Sequence, residues 1–287
     1  MTAHGSRFRF VQLDVPGLLG LDDGRYLVRG EDGEEPTVVV VQTLGAPPPK
    51  AKRLGRRARR VDPGPPPEVP LTRLTVIPAE PSQREEAARE LEQEARDSEA
   101  AEARISAGLR SLNTVLRSHR IATQDPYDHE IGRDAALIVR TGYGTGEGLA
   151  EGRWEEAVEV PPAIRRQRRA QALRPQERLA AVLAGREPID VCEPLLLRAR
   201  ADLDQGRARE AALQLRGGLE ALLAELPDRA GPDQEEDLAA LSARRDATVA
   251  AAEDALRGPL PEERVAEISE TLQICQRVLR RRQALRE

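Results

Sequence analysis

The hydrophobic period of the chain changes near Pro81, and this change constrains the fold more than any other feature. Before Pro81, apolar residues alternate with polar ones or form short β-branched runs such as Val38–Val41, a pattern typical of strands. The Asp-Gly steps at 23–24 and 32–33 supply turns between these segments. The pattern predicts about four short strands, near 8–14, 25–29, 37–43 and 71–77, which form a small curled sheet or open barrel.

After Pro81 the apolar residues recur at intervals of three and four, the period of a helix. Ser82 and Glu85 match a capping box and predict one long helix that reaches His119, solvated in its first half. Asp233 is expected to cap a helix through Arg257. The last helix carries a seam with coiled-coil spacing, formed by Val265, Ile268, Leu272, Cys275 and Leu279.

The segment 199–226 resembles a single tetratricopeptide unit. The resemblance rests on Gly206-Arg207, Glu210-Ala211 and Gly218-Leu219, and no second copy of the pattern follows. It implies one helical hairpin around Gly206. Taken together, the chain is predicted to be an α+β protein, with a small β-rich N-terminal region and a mostly helical body that ends in antiparallel helical hairpins.

Changes in composition predict four regions. Residues 1–81 form the β-rich region, interrupted by a disordered loop rich in Pro and Arg at 46–70. Residues 82–160 hold the long helix and a Gly-rich loop, 161–174 form a basic linker, and 175–287 form an all-helical domain with Pro175 in a first turn. Whether 82–160 completes the β-rich region or joins the C-terminal helices stays open.

The overall charge and the cysteines exclude several classes of protein. A net charge of −5 argues against a protein that coats nucleic acid or anionic lipid with its whole surface. Cys192 and Cys275 lie far apart, which disfavours a disulfide framework or a structural zinc site and favours reduced thiols in the cytoplasm. With no signal-like segment at 1–10 and no apolar run of bilayer length, we expect a soluble protein.

One cluster of ligand-type residues could bind a divalent metal, because imidazole and carboxylate groups are common metal ligands. It consists of His119, Asp125, Asp128 and His129. The spacing matches no fixed motif. The alternative is a turn, in which Asp125-Pro126 breaks the chain and Asp128 caps the next helix.

A glycine-rich segment at 141–148 could approach a phosphate or nucleotide closely through its backbone N–H groups. The candidate residues are Gly142, Gly144 and Gly146. The Lys-Ser/Thr ending of a P-loop is missing, and Glu147 would repel a phosphate. The alternative is a flexible loop with no ligand, and no cofactor is predicted.

Two basic runs could contact the phosphates of nucleic acid or an anionic membrane surface. They comprise Lys50, Lys52, Arg53, Arg56, Arg57, Arg59 and Arg60, and then Arg165, Arg166, Arg168 and Arg169. Neither run contains aromatic residues that could stack on bases. The alternative is a pair of solvated linkers, or a partner for the chain's own glutamate-rich helix at 85–102.

The function that these patterns favour is a non-enzymatic interaction or scaffold protein, which binds protein partners, itself or others, through helical faces. No serine stands in a nucleophile elbow, and both lysines fall in the predicted loop. The first alternative is an accessory protein that binds nucleic acid or an anionic surface through its arginine runs. The second is a metal- or nucleotide-dependent activity centred on 119–154.

Overall fold

The structure is a computed structural model that describes residues 6–29, 35–45, 69–127, 129–161, 169–225 and 232–285. The side chains at 147, 169–174, 232–234 and 283–285 are not described. The chain divides into two compact units, Met1–Arg165 and Arg166–Glu287. Residues 46–68 of the predicted loop and 162–168 of the predicted linker lie outside the described residues.

The N-terminal unit is an antiparallel sheet covered by two helices. Its strands and helices are β1 (Phe8–Pro16), β2 (Gly24–Val28), β3 (Thr37–Leu44), β4 (Leu71–Pro78), α1 (Arg84–Arg96), α2 (Ser98–Thr123), β5 (Ile138–Gly144) and β6 (Glu156–Glu159). The described strands form one six-stranded sheet in the order β2-β3-β4-β1-β5-β6. The sheet and the helical body confirm the predicted α+β class.

The two faces of the sheet have different neighbours because successive residues of β1 point to opposite sides. Val11, Leu13 and Val15 pack with residues of α2 in the main core of this unit. Phe10, Gln12 and Asp14 lie on the other face and are also buried. We call this other face the second face. The segment that follows β5 covers part of it, since the Trp154 ring stacks on Phe10 with the ring centroids 5.6 Å apart.

Helix α2 packs on the sheet, so residues 82–160 complete the β-rich region. Ile105 and Leu112 are fully buried against Leu13 and the other apolar residues of that face. Helix α1 lies on β5, where Ala87 and Leu91 pack with Tyr143. The first half of the predicted helix is therefore not simply solvated.

The prediction of one long helix capped by Ser82 was wrong. The helix is broken at Asp97, whose carboxylate accepts a hydrogen bond from the Glu99 N–H at 2.9 Å and caps α2. Ser82 does not cap α1: it lies two residues before the helix, its backbone pairs with Arg7, and its hydroxyl is directed to the Arg7 carbonyl oxygen. Gln83 precedes α1 without a side-chain cap.

The interpretation of 141–148 as a loop is corrected in its first half. Thr141–Gly144 belongs to β5, which pairs with β1 and β6. Gly146 lies in a short 3₁₀ helix directly after the strand. The sheet therefore has two strands more than the four that hydrophobic alternation predicted.

The C-terminal unit consists of helices among its described residues. They are α3 (Arg169–Leu183), α4 (Cys192–Asp204), α5 (Ala208–Glu225), α6 (Pro232–Ala243), α7 (Arg245–Arg257) and α8 (Glu262–Leu285). The predicted hairpin around Gly206 is confirmed as α4 and α5. Gly206 has a φ of +76°, a left-handed conformation that favours glycine.

The predicted seam of the last helix is confirmed in the core of this unit. Ile268, Leu272 and Cys275 are buried there together with Leu241 and Ala255 from the preceding helices. The helix expected from Asp233 through Arg257 is two helices, α6 and α7, which meet at Arg244.

The first helix of the C-terminal unit differs from its prediction, and the described helices also differ from helices that cross a membrane. Helix α3 begins at Arg169, so Pro175 lies inside it and not in its first turn. No described helix combines the length and the apolar character that a bilayer crossing requires.

Candidate functional site

The residues of the predicted metal cluster have local roles where the structure describes them. Asp125 Oδ1 accepts a hydrogen bond from the Tyr127 N–H at 2.9 Å, which closes a turn after α2. His119 is half-buried in the last turns of α2, and His129 is exposed. Asp128 lies outside the described residues. Within the described part of the chain, no three His, Cys, Asp or Glu side chains form a group that could hold a metal.

Two of the three glycines of the predicted phosphate loop, Gly142 and Gly144, are required by packing. A Cβ on Gly142 would lie 2.8 Å from two ring atoms of Phe10 and closer still to the backbone oxygen of Glu156. A Cβ on Gly144 would lie 2.9 Å from Leu149. The absence of a side chain lets the strand approach its neighbours, and that is a structural reason for glycine that needs no ligand. Gly146, in contrast, has open space around it.

The basic runs cannot be placed. The first run, 50–60, lies outside the described residues, as do Arg165, Arg166 and Arg168. Arg169 is the first residue of α3, and its side chain is not described. Contact of these runs with nucleic acid or an anionic surface therefore stays a prediction.

Both cysteines are free, fully buried thiols. Burial, reinforced at Cys192 by the neighbouring Glu225 carboxylate, raises the pKa of Cys192 to about 12. Burial also raises the pKa of Cys275 to about 12. Neither sulfur forms a thiolate near neutral pH, so neither can act as a nucleophile there.

Exposed apolar residues are concentrated at the start of the C-terminal unit. Of the thirteen large apolar side chains that are exposed among the described residues, five lie between positions 179 and 197. We call these five the α3–α4 surface: Leu179, Leu183, Ile189, Val191 and Leu197. Their exposed fractions run from 50% for Leu179 to 78% for Leu183. These residues are close in sequence, and exposed apolar side chains that form one patch mark an interaction site.

Helix α3 buries none of its described side chains, 175–183. Its apolar pair, Leu179 and Leu183, is spaced by four residues and so lies on one face of the helix. The Arg178 guanidinium, on another face, donates to Glu187 Oε1 at 3.0 Å and to the Glu193 carboxylate at 2.6 and 2.8 Å. This ion-pair cluster joins α3 to the segment before α4 and to the first turn of α4.

The segment between α3 and α4 is held by polar contacts that leave its apolar side chains outside. Asp190 forms a buried ion pair with Arg282 of α8. The Val191 and Cys192 N–H groups donate to the Glu225 carboxylate at 2.9 and 3.3 Å. These contacts fix the backbone, while 62% of the Val191 side chain and of its neighbour Ile189 remains exposed.

Sequence reasoning missed this surface. The available signal was the Leu pair one turn apart in α3, followed by the alternation Ile189-Asp190-Val191, with its one acidic residue between two β-branched ones. Comparison of the chain with known protein families, curated proteins and solved structures finds no match. The interpretation of the surface therefore depends on its own geometry.

Proposed function

We propose that this chain is a non-enzymatic interaction protein that self-associates through the α3–α4 surface. The observation that carries the proposal is the pair Leu179 and Leu183, exposed one turn apart on a helix none of whose described side chains is buried. The non-enzymatic part is supported by the protonated thiols and by the packing roles of Gly142 and Gly144. The free cysteines also favour the cytoplasm as its compartment.

The length and sequence of α3 favour an arrangement in which a partner covers its apolar face. An isolated helix shorter than about 15 residues is marginal in water, and most helices are stabilised by packing of an apolar face. Helix α3 has 15 residues and contains Pro175, which cannot donate the backbone hydrogen bond that a helix interior needs. Association that buries Leu179 and Leu183 would add apolar contacts to the ion pairs that Arg178 makes.

A second copy of this chain is the occupant that the geometry favours. A two-fold axis across an antiparallel pair of α3 helices would set Leu179 of one copy against Leu183 of the other, so the face is complementary to itself. Full burial of a Leu side chain stabilises by about 1.5–3 kcal/mol, and these side chains are at least half exposed. Each therefore contributes about 1–2 kcal/mol to association.

The test is the mass of the protein in solution as a function of concentration, measured by sedimentation equilibrium. We expect a reversible monomer–dimer equilibrium at protein concentrations up to several hundred micromolar. Association should be at least tenfold weaker for the double variant L179Q/L183Q, which keeps good helix formers in α3. The matched control is L256Q on α7, because Leu256 is 66% exposed but lies outside the surface.

The control should associate like the unchanged protein. A chain that stays monomeric at several hundred micromolar would refute self-association. Equal weakening by L256Q and by L179Q/L183Q would instead refute the α3–α4 surface as the site of association. Circular dichroism of each variant at a concentration where all are monomeric shows whether the C-terminal helices are retained.

A further inference from the structure

Two arginines converge on one buried carboxylate on the second face of the N-terminal sheet. Arg73 of β4 donates from Nε to Asp14 Oδ1 at 2.8 Å and from Nη2 to Asp14 Oδ2 at 3.0 Å. Arg140 of β5 donates from Nη1 to the same Oδ2 at 3.0 Å. Asp14 lies between them on the central strand β1, with its side chain 4% exposed.

The two guanidinium groups have more donors than Asp14 can satisfy. Each carries five N–H bonds, and three hydrogen bonds in all reach the carboxylate. Among the described residues, Asp14 is the acidic partner of both arginines. Their side chains are 21% and 19% exposed, so neither arginine is sealed in the core.

The charges around this cluster leave it positive at its centre. Two guanidinium groups and one carboxylate sum to a single positive charge. Gln12, the cross-strand neighbour of Arg140 on β1, and Thr75, which pairs with Gln12 from β4, are neutral. Glu159 lies next to Arg140 on the same face, at the edge strand β6, and is exposed. It forms no ion pair with Arg140 in the part of the chain that the structure describes.

We propose that Arg73 and Arg140 form a binding site for a phosphate or phosphomonoester group. Arginine presents a planar fork of donors that matches the oxygens of phosphate, and two forks from different strands can reach different oxygens of one tetrahedral group. Arg73 already reaches both oxygens of the Asp14 carboxylate, so the Arg140 guanidinium contributes a third hydrogen bond that a single carboxylate does not need. The site is independent of the α3–α4 surface.

The experiment is calorimetric titration of the full chain with inorganic phosphate at constant ionic strength, and separately with glycerol phosphate. We expect saturable binding with a Kd of about 1 mM or lower, as a ligand of this size allows. R140Q should weaken it at least tenfold, while Asp14 keeps its two hydrogen bonds from Arg73. The control R110Q removes the same charge at an exposed position of α2 and should bind as the unchanged protein does.

A second variant separates binding from damage to the fold. D14N also disrupts the cluster, but it raises the local charge by one and should strengthen phosphate binding. Opposite changes in R140Q and D14N support the site, since a loss of structure would weaken both. No saturable binding, or equal weakening in R140Q and R110Q, overturns the proposal. Binding of inorganic phosphate alone identifies the free ion as the ligand, and tighter binding of glycerol phosphate than of inorganic phosphate identifies a phosphomonoester.

Discussion

Replacement of Gly142 by Ala tests whether the glycines after residue 140 serve packing. Gly142 lies in β5 between Phe10 of β1 and Ala157 of β6. The new Cβ would lie 2.8 Å from Phe10 Cε1 and Cζ and would also overlap the backbone oxygen of Glu156. Phe10 is completely buried, so its ring cannot move away without disturbing other core residues.

The size of the effect follows from these contacts. Overpacking of a well-packed site costs typically 1–3 kcal/mol. Because one of the overlapping atoms is backbone, β6 must also separate from β5, so we expect the free energy of unfolding of the N-terminal unit to fall by about 3 kcal/mol. G132A is the matched control, since a Cβ on Gly132 has no neighbour within 4 Å and φ is ordinary there. It should change stability by less than about 0.5 kcal/mol.

The assay is urea unfolding followed by the fluorescence of Trp154, the only tryptophan of the chain. Its ring stacks on Phe10, so its emission reports on the N-terminal unit and not on the C-terminal helices. A probe confined to one unit is needed because a chain with two units can unfold in more than one step. If G142A and G132A unfold at the same urea concentration with the same slope, the packing explanation for Gly142 is refuted.

Two further predictions follow from pKa values. Burial raises the pKa of Cys192 and Cys275 to about 12. The native protein should therefore not react with a disulfide reagent at pH 8, whereas the unfolded chain should react at both thiols. Rapid labelling of the native protein would contradict this prediction. Burial raises the pKa of Asp14, but hydrogen bonds from Arg73 and Arg140 outweigh it, so the pKa is lowered overall. The carboxylate then stabilises the fold above its unfolded pKa of about 3.9, and this contribution is lost as pH falls through the lower folded pKa. The stability difference between the unchanged protein and D14N should therefore shrink in acid, and a difference constant down to about pH 2 would contradict the assignment.

The first four strands could be predicted because local pattern and tertiary role agree in them. Alternation in β1 and the valine run of β3 identify strands that are buried in the sheet. Strand β5 was missed because glycine disfavours strands. Gly144 is explained by the nearby Leu149, but Gly142 also meets Phe10, which approaches it from about 130 residues earlier in the sequence. That approach is a tertiary property, which no local pattern contains.

The helices show the same division between local and tertiary information. Helical periodicity identified α2 and α8, whose apolar residues pack in the two cores. The break at Asp97 was missed because Glu, Ala and Arg favour a helix on both sides of it. The α3–α4 surface was missed because the sequence shows that Leu179 and Leu183 share a helix face but not that nothing in the described unit covers that face.

The order of the strands in the sheet determines when each strand can find its neighbours during translation. Strand β1 is made early, but both of its neighbours come later, since β4 ends at Pro78 and β5 at Gly144. At about 5–20 residues per second, a ribosome needs on the order of ten seconds to pass from the end of β1 to the end of β5. The nascent strand has two open edges until β4 is made and one open edge until β5 is made. Open edges are the usual starting points for aggregation and for chaperone binding. The N-terminal unit is thus expected to depend on chaperones during translation more than the helical unit, whose helices pack mainly with helices close in sequence.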